Sequence, residues 1–482
     1  MDNDEQYFQQ VPPRDIKSIQ FHDKIRRLGE RGHAVPDVVE YPTDPLRLVV
    51  RNQLILHLDK PLEVSRKSKL RLTGKYIINS ERKAVDVVVT RACRCNPLLV
   101  LVEGEQAHLL TDELDLRYSL DQDTSLPRVV RSSANDIGYS PEQDTSPPHV
   151  IRSSSGGGGH PVPLLPASFD DQLRRIREQH DSLDDYPVVA VMDTGIDFRY
   201  PNTESLPTYY NTEPPTCDMI EPDYIGWDFI NDHNYPYDDN ETNKHGSRIA
   251  AIISRIADGK VRIMPLKVID SQGIGSLFAI CCACEYLLTD RLRGKLTAVN
   301  ASWGFYSTQE NELLGQYIDQ LTESGTWFIN AAGNRGDIIP NEIVDLSNSI
   351  RYPACYGGKK KAGVLTVTTV SNKLRFTFPG GFRTVYDVVE NYSSTFTDIG
   401  IGAGRDGKFQ ESLLTDSSSP FIIGSSYATA YASGLAGLLR PEMSAGKAAF
   451  LQSVSGHLAI LALNSKICDG YVFVVESDPL FT

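Results

Sequence analysis

The feature that most constrains the fold of this chain is a series of continuous apolar segments, alternating with helical patterns, beyond about residue 170. Segments of this kind are typical of strands buried on both faces in a parallel sheet that helices cover. We therefore predict an α/β domain over residues 167–482, and in such sheets reactive side chains collect at the carboxyl ends of the strands. The strand-like segments are 187–192, 263–269, 297–301, 326–331 and 364–370, and the helical ones include 274–288 and 311–323.

Two further zones precede this domain. Residues 1–105 predict a smaller α/β or β-rich N-terminal accessory domain, because a helical spacing at 15–31 is followed by several segments rich in Val, Ile and Leu. Residues 106–166 are rich in Ser, Pro, Gly and Asp, which is the composition of a linker. A short repeat lies within it, at 122–133 and 143–154. The repeat is either a duplicated spacer or a duplicated recognition or cleavage sequence.

Composition excludes some classes of function. The net charge of −14 argues against binding to nucleic acid or to an anionic membrane. The N-terminus shows no secretory signal and no apolar run is long enough to span a bilayer, so we expect a cytoplasmic protein. The eight cysteines show no paired framework and predict reduced thiols. Cys281, Cys282 and Cys284 share a predicted helix, where small core residues are favoured over a zinc site.

Four polar residues stand at the edges of regular elements. Asp193 ends an apolar strand, His245 precedes a helical pattern, and Ser426 lies in a turn of small residues before another helix. A serine with a histidine base and an orienting carboxylate forms a nucleophilic hydrolase. Asn334 follows a strand, and its amide together with the backbone N–H at Ser426 could stabilise an oxyanion.

The blocks around these residues resemble the subtilisin-like serine proteases, in the family's order Asp, His, Asn, Ser. The resemblance covers roughly residues 185–440. The matching blocks are 189–197, 226–231, 238–240, 245–247, 330–336 and 424–428, with 265–268 and 300–304 between them. The chain departs from the usual pattern at Ser247, Ser425 and Ala430, which indicates a divergent member with restricted substrates.

The resemblance implies a serine endopeptidase acting on a protein or peptide substrate. Ser426 would be the nucleophile, His245 the general base, Asp193 its orienting carboxylate and Asn334 an oxyanion donor. The resemblance also implies that Ser302, Trp303 and Gly304 line an extended substrate. No cofactor is required. The acidic loop 228–241 is either a solvated surface or a structural calcium site. The N-terminal domain would be a recognition or inhibitory domain, and could bind a regulatory partner.

One departure bears on specificity. Arg351 stands where the family often has a small residue at the floor of the S1 pocket, which binds the residue before the scissile bond, P1. A guanidinium in a partly desolvated pocket favours a carboxylate, so cleavage after Asp, and less so Glu, is the hypothesis. Asp123 and Asp144 in the repeat would then be self-cleavage points. The alternative is that Arg351 points to solvent or pairs with an acid such as Asp345.

Two other functions fit the sequence less well than proteolysis. A catalytically silent binding or regulatory module has no need to keep all four polar groups. An esterase of the usual α/β-hydrolase plan would carry the order Ser, Asp, His and a Gly-x-Ser-x-Gly elbow, and this chain has neither.

Overall fold

A computed structural model describes most of the chain. The described residues are 36–62, 69–118, 127–139, 167–200, 203, 205–240, 244–337, 342–378, 381–403, 408–410, 421–440, 446–457, 460–462 and 473–476. The helix predicted at 15–31 and both candidate cleavage residues, Asp123 and Asp144, lie outside them.

An antiparallel sheet forms the N-terminal part of the structure. Its strands run in the order β7-β2-β5-β4-β3-β6, and β1 pairs with β2. The sheet confirms the β-rich alternative of the sequence prediction. Its strands are β1 (Val38–Tyr41), β2 (Asp44–Leu58), β3 (Lys69–Tyr76), β4 (Arg82–Ala92), β5 (Leu99–Glu103), β6 (Leu110–Tyr118) and β7 (Val129–Tyr139).

The predicted linker over 106–166 is wrong at its N-terminal side. Strands β6 and β7 occupy much of 110–139, and β7 pairs with β2 inside the sheet. The polar composition of this segment predicted a linker, but polar residues of β7 form hydrogen bonds to other groups of the protein. Asp136 is fully buried and accepts from Arg47 Nε at 2.6 Å. Only residues 140–166, which lie outside the described residues, still fit the linker prediction by composition.

The C-terminal part is the predicted α/β fold. Its large sheet runs β21-β22-β18-β16-β14-β12-β8-β10-β9, parallel from β22 to β9, and β17 pairs with β16. The strands are β8 (Val188–Asp193), β9 (Trp227–Asp228), β10 (Arg262–Lys267), β11 (Ile274–Ser276), β12 (Leu296–Ala301), β13 (Phe305–Tyr306), β14 (Trp327–Ala331), β15 (Arg351–Tyr352), β16 (Val364–Phe378), β17 (Gly381–Val388), β18 (Ile399–Ala403), β19 (Lys408–Gln410), β20 (Phe421–Ile423), β21 (Ile460–Ala462) and β22 (Phe473–Glu476).

Helices cover both faces of this sheet. They are α1 (Ala167–Leu183), α2 (His245–Ile256), α3 (Leu277–Leu287), α4 (Glu312–Glu323), α5 (Ser425–Leu439) and α6 (Gly446–His457). Buried residues of α3 and α4 form one apolar core, and those of α2 and α5 form another. None of the described helices combines the length and hydropathy that crossing a membrane requires.

The two parts meet at β11. The predicted helix 274–288 is shorter than expected, because its first three residues form β11 and pair antiparallel with Ile137, Gly138 and Tyr139 of β7. Beside this pairing, Asn135 Oδ1 accepts from the backbone N–H of Phe278 in the first turn of α3, at 3.1 Å. Apolar residues of β2 and β5 belong to the same core as α3. The N-terminal sheet is therefore packed against the α/β part.

A disulfide also joins the two parts. Cys95 and Cys217 are bonded to each other, so the prediction of reduced thiols is wrong for this pair. Their separation of 122 residues gave no spacing signal. Cys93, Cys281, Cys282, Cys284 and Cys355 are free and buried, and the three cysteines of α3 pack in the apolar core as expected.

Candidate active site

Asp193 and His245 meet at the carboxyl edge of the large sheet. Asp193 is the last residue of β8, an internal strand of the sheet, and His245 is the first residue of α2. His245 Nδ1 lies 2.7 Å from Asp193 Oδ1, with the two side chains 2% and 0% exposed. Because a carboxylate only accepts hydrogen bonds, this contact places the imidazole proton on Nδ1 and leaves Nε2 able to accept a proton.

Ser426 is the second residue of α5, close to His245. The ring of the next residue, Tyr427, lies 5.8 Å from the His245 ring between centroids. Ser426 Oγ donates to the carbonyl oxygen of Ser302 at 3.3 Å, and Ser302 Oγ donates to the carbonyl oxygen of Ser426 at 3.1 Å. This reciprocal pair joins the start of α5 to the residue that follows β12.

The helix N-terminus and Asn334 lie together. Asn334 Oδ1 accepts from the backbone N–H of Ser425 at 2.7 Å and from its hydroxyl at 2.9 Å. These two donors fix the orientation of the amide, which lies beside Gly424: a Cβ added there would stand 3.2 Å from Asn334 Nδ2 and 3.4 Å from Oδ1. Gly424 has φ +139°, which favours glycine, and it lets the chain turn sharply into the helix.

Ser425 was marked in the sequence only as a departure from the family pattern, with no role of its own. Its hydroxyl accepts from the backbone N–H of Gly333 at 3.1 Å and donates to Asn334. Ser425 thus holds the end of β14 against the start of α5. Lys267 was missed too: it is 1% exposed, and its Nζ donates to the carbonyl oxygen of Thr194, next to Asp193, and to Asp239, each at 2.7 Å. The sequence pattern does not reveal that a lysine in an apolar strand donates to the backbone next to Asp193.

The three residues expected to line a substrate follow β12. Ser302, Trp303 and Gly304 are buried, and Trp303 packs its ring into the core beside α3 and α4. The side chain of Trp303 therefore faces away from solvent, and it is the backbone of this segment that could pair with an extended peptide.

Arg351 lies beneath this segment. Its side chain is fully buried on β15, which pairs with β13. A Cβ added at Gly304 would stand 2.4 Å from Arg351 Cζ, and one at Gly333 would stand 3.1 Å from Arg351 Nε. The guanidinium thus lies between two glycines that follow β12 and β14. The alternative of a solvent-exposed Arg351 is wrong. The described residues show no ion pair between Arg351 and Asp345, but the charge of Arg351 acts on another acid, the buried Asp337.

The guanidinium is only partly satisfied. Nη1 donates to the carbonyl oxygen of Ala331 at 2.6 Å. Nε and Nη2 are buried and find no hydrogen-bond partner within the described part of the chain. These two nitrogens form one edge of the guanidinium, the edge that binds a carboxylate through two parallel hydrogen bonds. A buried cation with two unused donors carries a desolvation cost, which the charge of Asp337 offsets in part and an anion from outside would offset further.

Two acidic groups flank the turn after Asn334. Asp337 Oδ2 accepts from the backbone N–H of Asn334 at 2.8 Å, and Glu390 Oε2 accepts from that of Arg335 at 2.6 Å. Burial raises the pKa of Asp337 to about 6, against the opposing charge of Arg351. Burial also raises the pKa of Glu390 to about 8. The site therefore holds two acids that titrate nearer to neutrality than usual.

The acidic loop shows no metal site among its described residues. Asp228 accepts from the backbone N–H groups of Ile230 and Asn231, and Asp238 accepts from Ser247 at the start of α2. Across the whole described part of the chain, no three His, Cys, Asp or Glu residues are grouped as a metal ion would require.

Comparisons with known proteins find similarity to one family of peptidases. Residues 184–457 match the sequence profile of Peptidase_S8, the subtilase family. Thermitase from Thermoactinomyces vulgaris is 24% identical over 260 residues, which are 53% of this chain and 75% of thermitase. Subtilisin-like protease 1 from Plasmodium berghei (strain Anka) is 23% identical over 260 residues, 49% of this chain and 41% of that protein. A crystal structure of a cold adapted subtilisin-like serine proteinase matches with a TM-score of 0.39 and 17% identity, over 60% of this chain and 89% of that one.

Proposed function

Because this chain belongs to the subtilase family and is a subtilisin-like serine endopeptidase, we propose that it cleaves peptide bonds through Asp193, His245 and Ser426. The observation that carries the assignment is the buried contact of 2.7 Å between His245 Nδ1 and Asp193 Oδ1. A carboxylate in this position holds the histidine tautomer that can accept a proton from serine.

The proposed reaction begins when Ser426 Oγ leaves the carbonyl of Ser302 and attacks the scissile carbonyl carbon. The hydroxyl proton passes to His245 Nε2, and Asp193 stabilises the imidazolium. The oxyanion accepts hydrogen bonds from Asn334 Nδ2 and the backbone N–H of Ser426, where the N-terminus of α5 favours negative charge. His245 then protonates the leaving amine, and water hydrolyses the acyl-enzyme with His245 again as base.

Labelling with a fluorophosphonate tests the triad. We expect the probe on the peptide that carries Ser426, with no label in Ser426→Ala. Ser433→Ala is a matched control, because Ser433 is another buried serine of the same helix. Absence of label in the wild-type chain, both uncut and after a cut between residues 139 and 167 followed by reduction of its disulfide, would favour the catalytically silent binding module.

We propose further that the enzyme prefers an acidic P1 residue. The buried edge of Arg351 with its two unpartnered nitrogens supports this, because a P1 carboxylate would supply both missing acceptors. A peptide library that varies only P1 tests the preference. Enrichment of Asp, then Glu, is expected, whereas enrichment of basic or large apolar residues would exclude it.

The N-terminal sheet is proposed to restrain the enzyme. Extended peptides bind proteases and other receptors by adding a strand to an exposed edge. Here β7 already occupies the edge strand β11, and Gly275 of β11 bridges to Ile269, whose N–H donates to the carbonyl of Asp193. An incoming peptide would have to displace β7 to use this edge. The regulated enzyme would thus be latent while the sheet is docked.

Self-processing would be a step in relieving this restraint, and the topology distinguishes the two candidate points. Asp123 lies between β6 and β7. A cut there leaves β1 to β6 on one fragment and β7 on the fragment that carries the α/β part. Asp144 follows β7, so a cut there breaks the chain between the whole N-terminal sheet and the α/β part. We expect intact mass after reduction to show the cut at Asp144 in the wild type and none in Ser426→Ala. Equal cutting in both proteins would point to a contaminating protease.

A further inference from the structure

Cutting the chain after β7 would not separate its two parts. Cys95 lies in the N-terminal sheet region and Cys217 lies in the α/β part, on opposite sides of residues 140–166 in sequence. Their disulfide is the one covalent bond between the two parts, apart from the chain itself, that the described residues contain. Hydrolysis anywhere in 140–166 therefore yields two fragments that stay linked.

The contacts around this bond hold the same corner in place. Arg94 Nη2 donates to Asp232 at 2.7 Å, and Arg91 Nη2 donates to the carbonyl oxygen of Phe229 at 2.7 Å. At the far end of the interface, Asn311 Nδ2 donates to Asp136 at 2.7 Å. A linked fragment that dissociates from such a surface returns at a high effective concentration, whereas a free fragment is diluted into solution.

The bond is also accessible to a reductant. Both Cys95 and Cys217 are partly exposed, whereas all five free cysteines among the described residues are buried. Asp218, which follows Cys217, is exposed. A disulfide that is reached from solvent can be opened by thiol–disulfide exchange without prior unfolding.

We propose that the Cys95–Cys217 disulfide is a redox latch, which keeps the N-terminal sheet on the cut enzyme until a dithiol reductant opens it. The inference rests on the proposed inhibitory role of that sheet. Full activity then requires two events, hydrolysis between β7 and α1 and reduction of this bond. Disulfides in cytoplasmic proteins are usually transient or redox-sensing, and a cytoplasmic location, which we propose from the sequence, would supply the reductant.

Opening of the Cys95–Cys217 bond by a dithiol needs no further oxidant or reductant. A thiolate of the dithiol attacks one sulfur of the bond, forms a mixed disulfide and releases the other cysteine as a thiolate, which takes up a proton. The second thiol of the reductant then displaces the first cysteine. The protein gains two electrons and two protons as thiols, and the reductant leaves as a disulfide.

The test separates cutting from reduction. In the full chain, Asp123→Asn and Asp144→Asn remove the proposed self-cleavage points. The glycines at 156–159 are replaced by the recognition sequence of a site-specific protease, which is added to make the cut. Hydrolysis of a fluorogenic peptide is measured with and without the cut, each with and without a dithiol. We expect activity in the cut and reduced sample to exceed that of the cut, oxidised sample by about tenfold or more. Gel filtration should show the N-terminal fragment leaving only after reduction.

The double variant Cys95→Ser, Cys217→Ser provides the control. It should become active on cutting alone and should not respond to the reductant. Equal activity of the cut chain before and after reduction would overturn the latch and leave the inhibitory sheet standing. An uncut, oxidised chain as active as the cut and reduced one would overturn the inhibitory role, and the latch with it. A response of the double variant to the dithiol would show that the reductant acts elsewhere and would also overturn the latch.

Discussion

Replacing Arg351 by methionine should abolish selection for an acidic P1 residue. Methionine keeps an unbranched side chain of similar reach but removes the guanidinium edge that Nε and Nη2 present. Two charge-assisted hydrogen bonds contribute about 1.5–3 kcal/mol each, and desolvation of the substrate carboxylate offsets part of that sum. We take a net preference of about 2–3 kcal/mol for Asp over Asn, which is a ratio of about 30 to 150 in kcat/KM.

The assay compares two peptides that differ only in Asp or Asn at P1. These residues have nearly the same shape, so the ratio of their kcat/KM values reports charge recognition and cancels differences in enzyme concentration. The ratio should fall to about 1 in Arg351→Met. In Arg351→Lys it should be intermediate, because an ammonium retains the charge without the fork.

Arg335→Met is the matched control. Arg335 is exposed on the turn after Asn334, so its loss removes a positive charge near the site without removing the buried guanidinium of Arg351. The Asp to Asn ratio should stay within about twofold of the wild type, since exposed charges are screened. An unchanged ratio in Arg351→Met, or an equal loss in Arg335→Met, would refute the reasoning.

Four further predictions concern the same site. Asn334→Ala should lower kcat about 10²- to 10³-fold with little change in KM, as loss of an oxyanion donor does; steady-state kinetics on the cut, reduced enzyme would contradict this if kcat were kept. Gly304→Ala should lower the Asp to Asn ratio about tenfold, because the added Cβ displaces the guanidinium of Arg351. An unchanged ratio would mean that this guanidinium does not recognise the P1 carboxylate. The same ratio should rise as the pH falls from 7 to 5.5, because the pKa of Asp337 is about 6 and its protonation removes a competing negative charge beside Arg351; this rise should vanish in Asp337→Asn. Burial raises the pKa of Glu390 to about 8 in the folded protein, whereas the unfolded chain loses this proton at the usual pKa. The free energy of unfolding therefore falls as the pH rises from about 4.5 to 8. Glu390→Gln should therefore unfold at the same temperature as the wild type near pH 4.5 but be more stable at pH 8.5, by roughly 3–5 kcal/mol. Melting temperatures that differ equally between the two proteins at both pH values would contradict this prediction.

The catalytic candidates were readable from sequence for a local reason. Asp193, His245, Asn334 and Ser426 each stand at the end of a strand or the start of a helix, where the change of hydrophobic pattern marks an edge. The parallel strands were equally visible, because burial on both faces requires continuous apolar residues.

Features that depend on distant pairing were not readable. The segment of β11 continues the apolar pattern of α3 and shows its strand character only when β7 lies beside it, about 135 residues away in sequence. Cys95 and Cys217 are joined by docking of the same two parts. The burial of Arg351 depends on Gly304 and Gly333 lying on either side of it. Sequence suggested the chemistry of Arg351, but the unsatisfied edge of its guanidinium requires three dimensions.

The pairing of β7 with β11 has a consequence for the solubility of the enzyme. While the N-terminal sheet is docked, β7 satisfies the backbone donors and acceptors of β11 and covers Ile274, which packs with Val50 and Ile137. Departure of the sheet would uncover an unpaired edge next to apolar side chains, and such edges template association between molecules. The freed enzyme should accordingly be the form most prone to self-association, so a peptide bound along β11 would act as a stabiliser as well as a substrate.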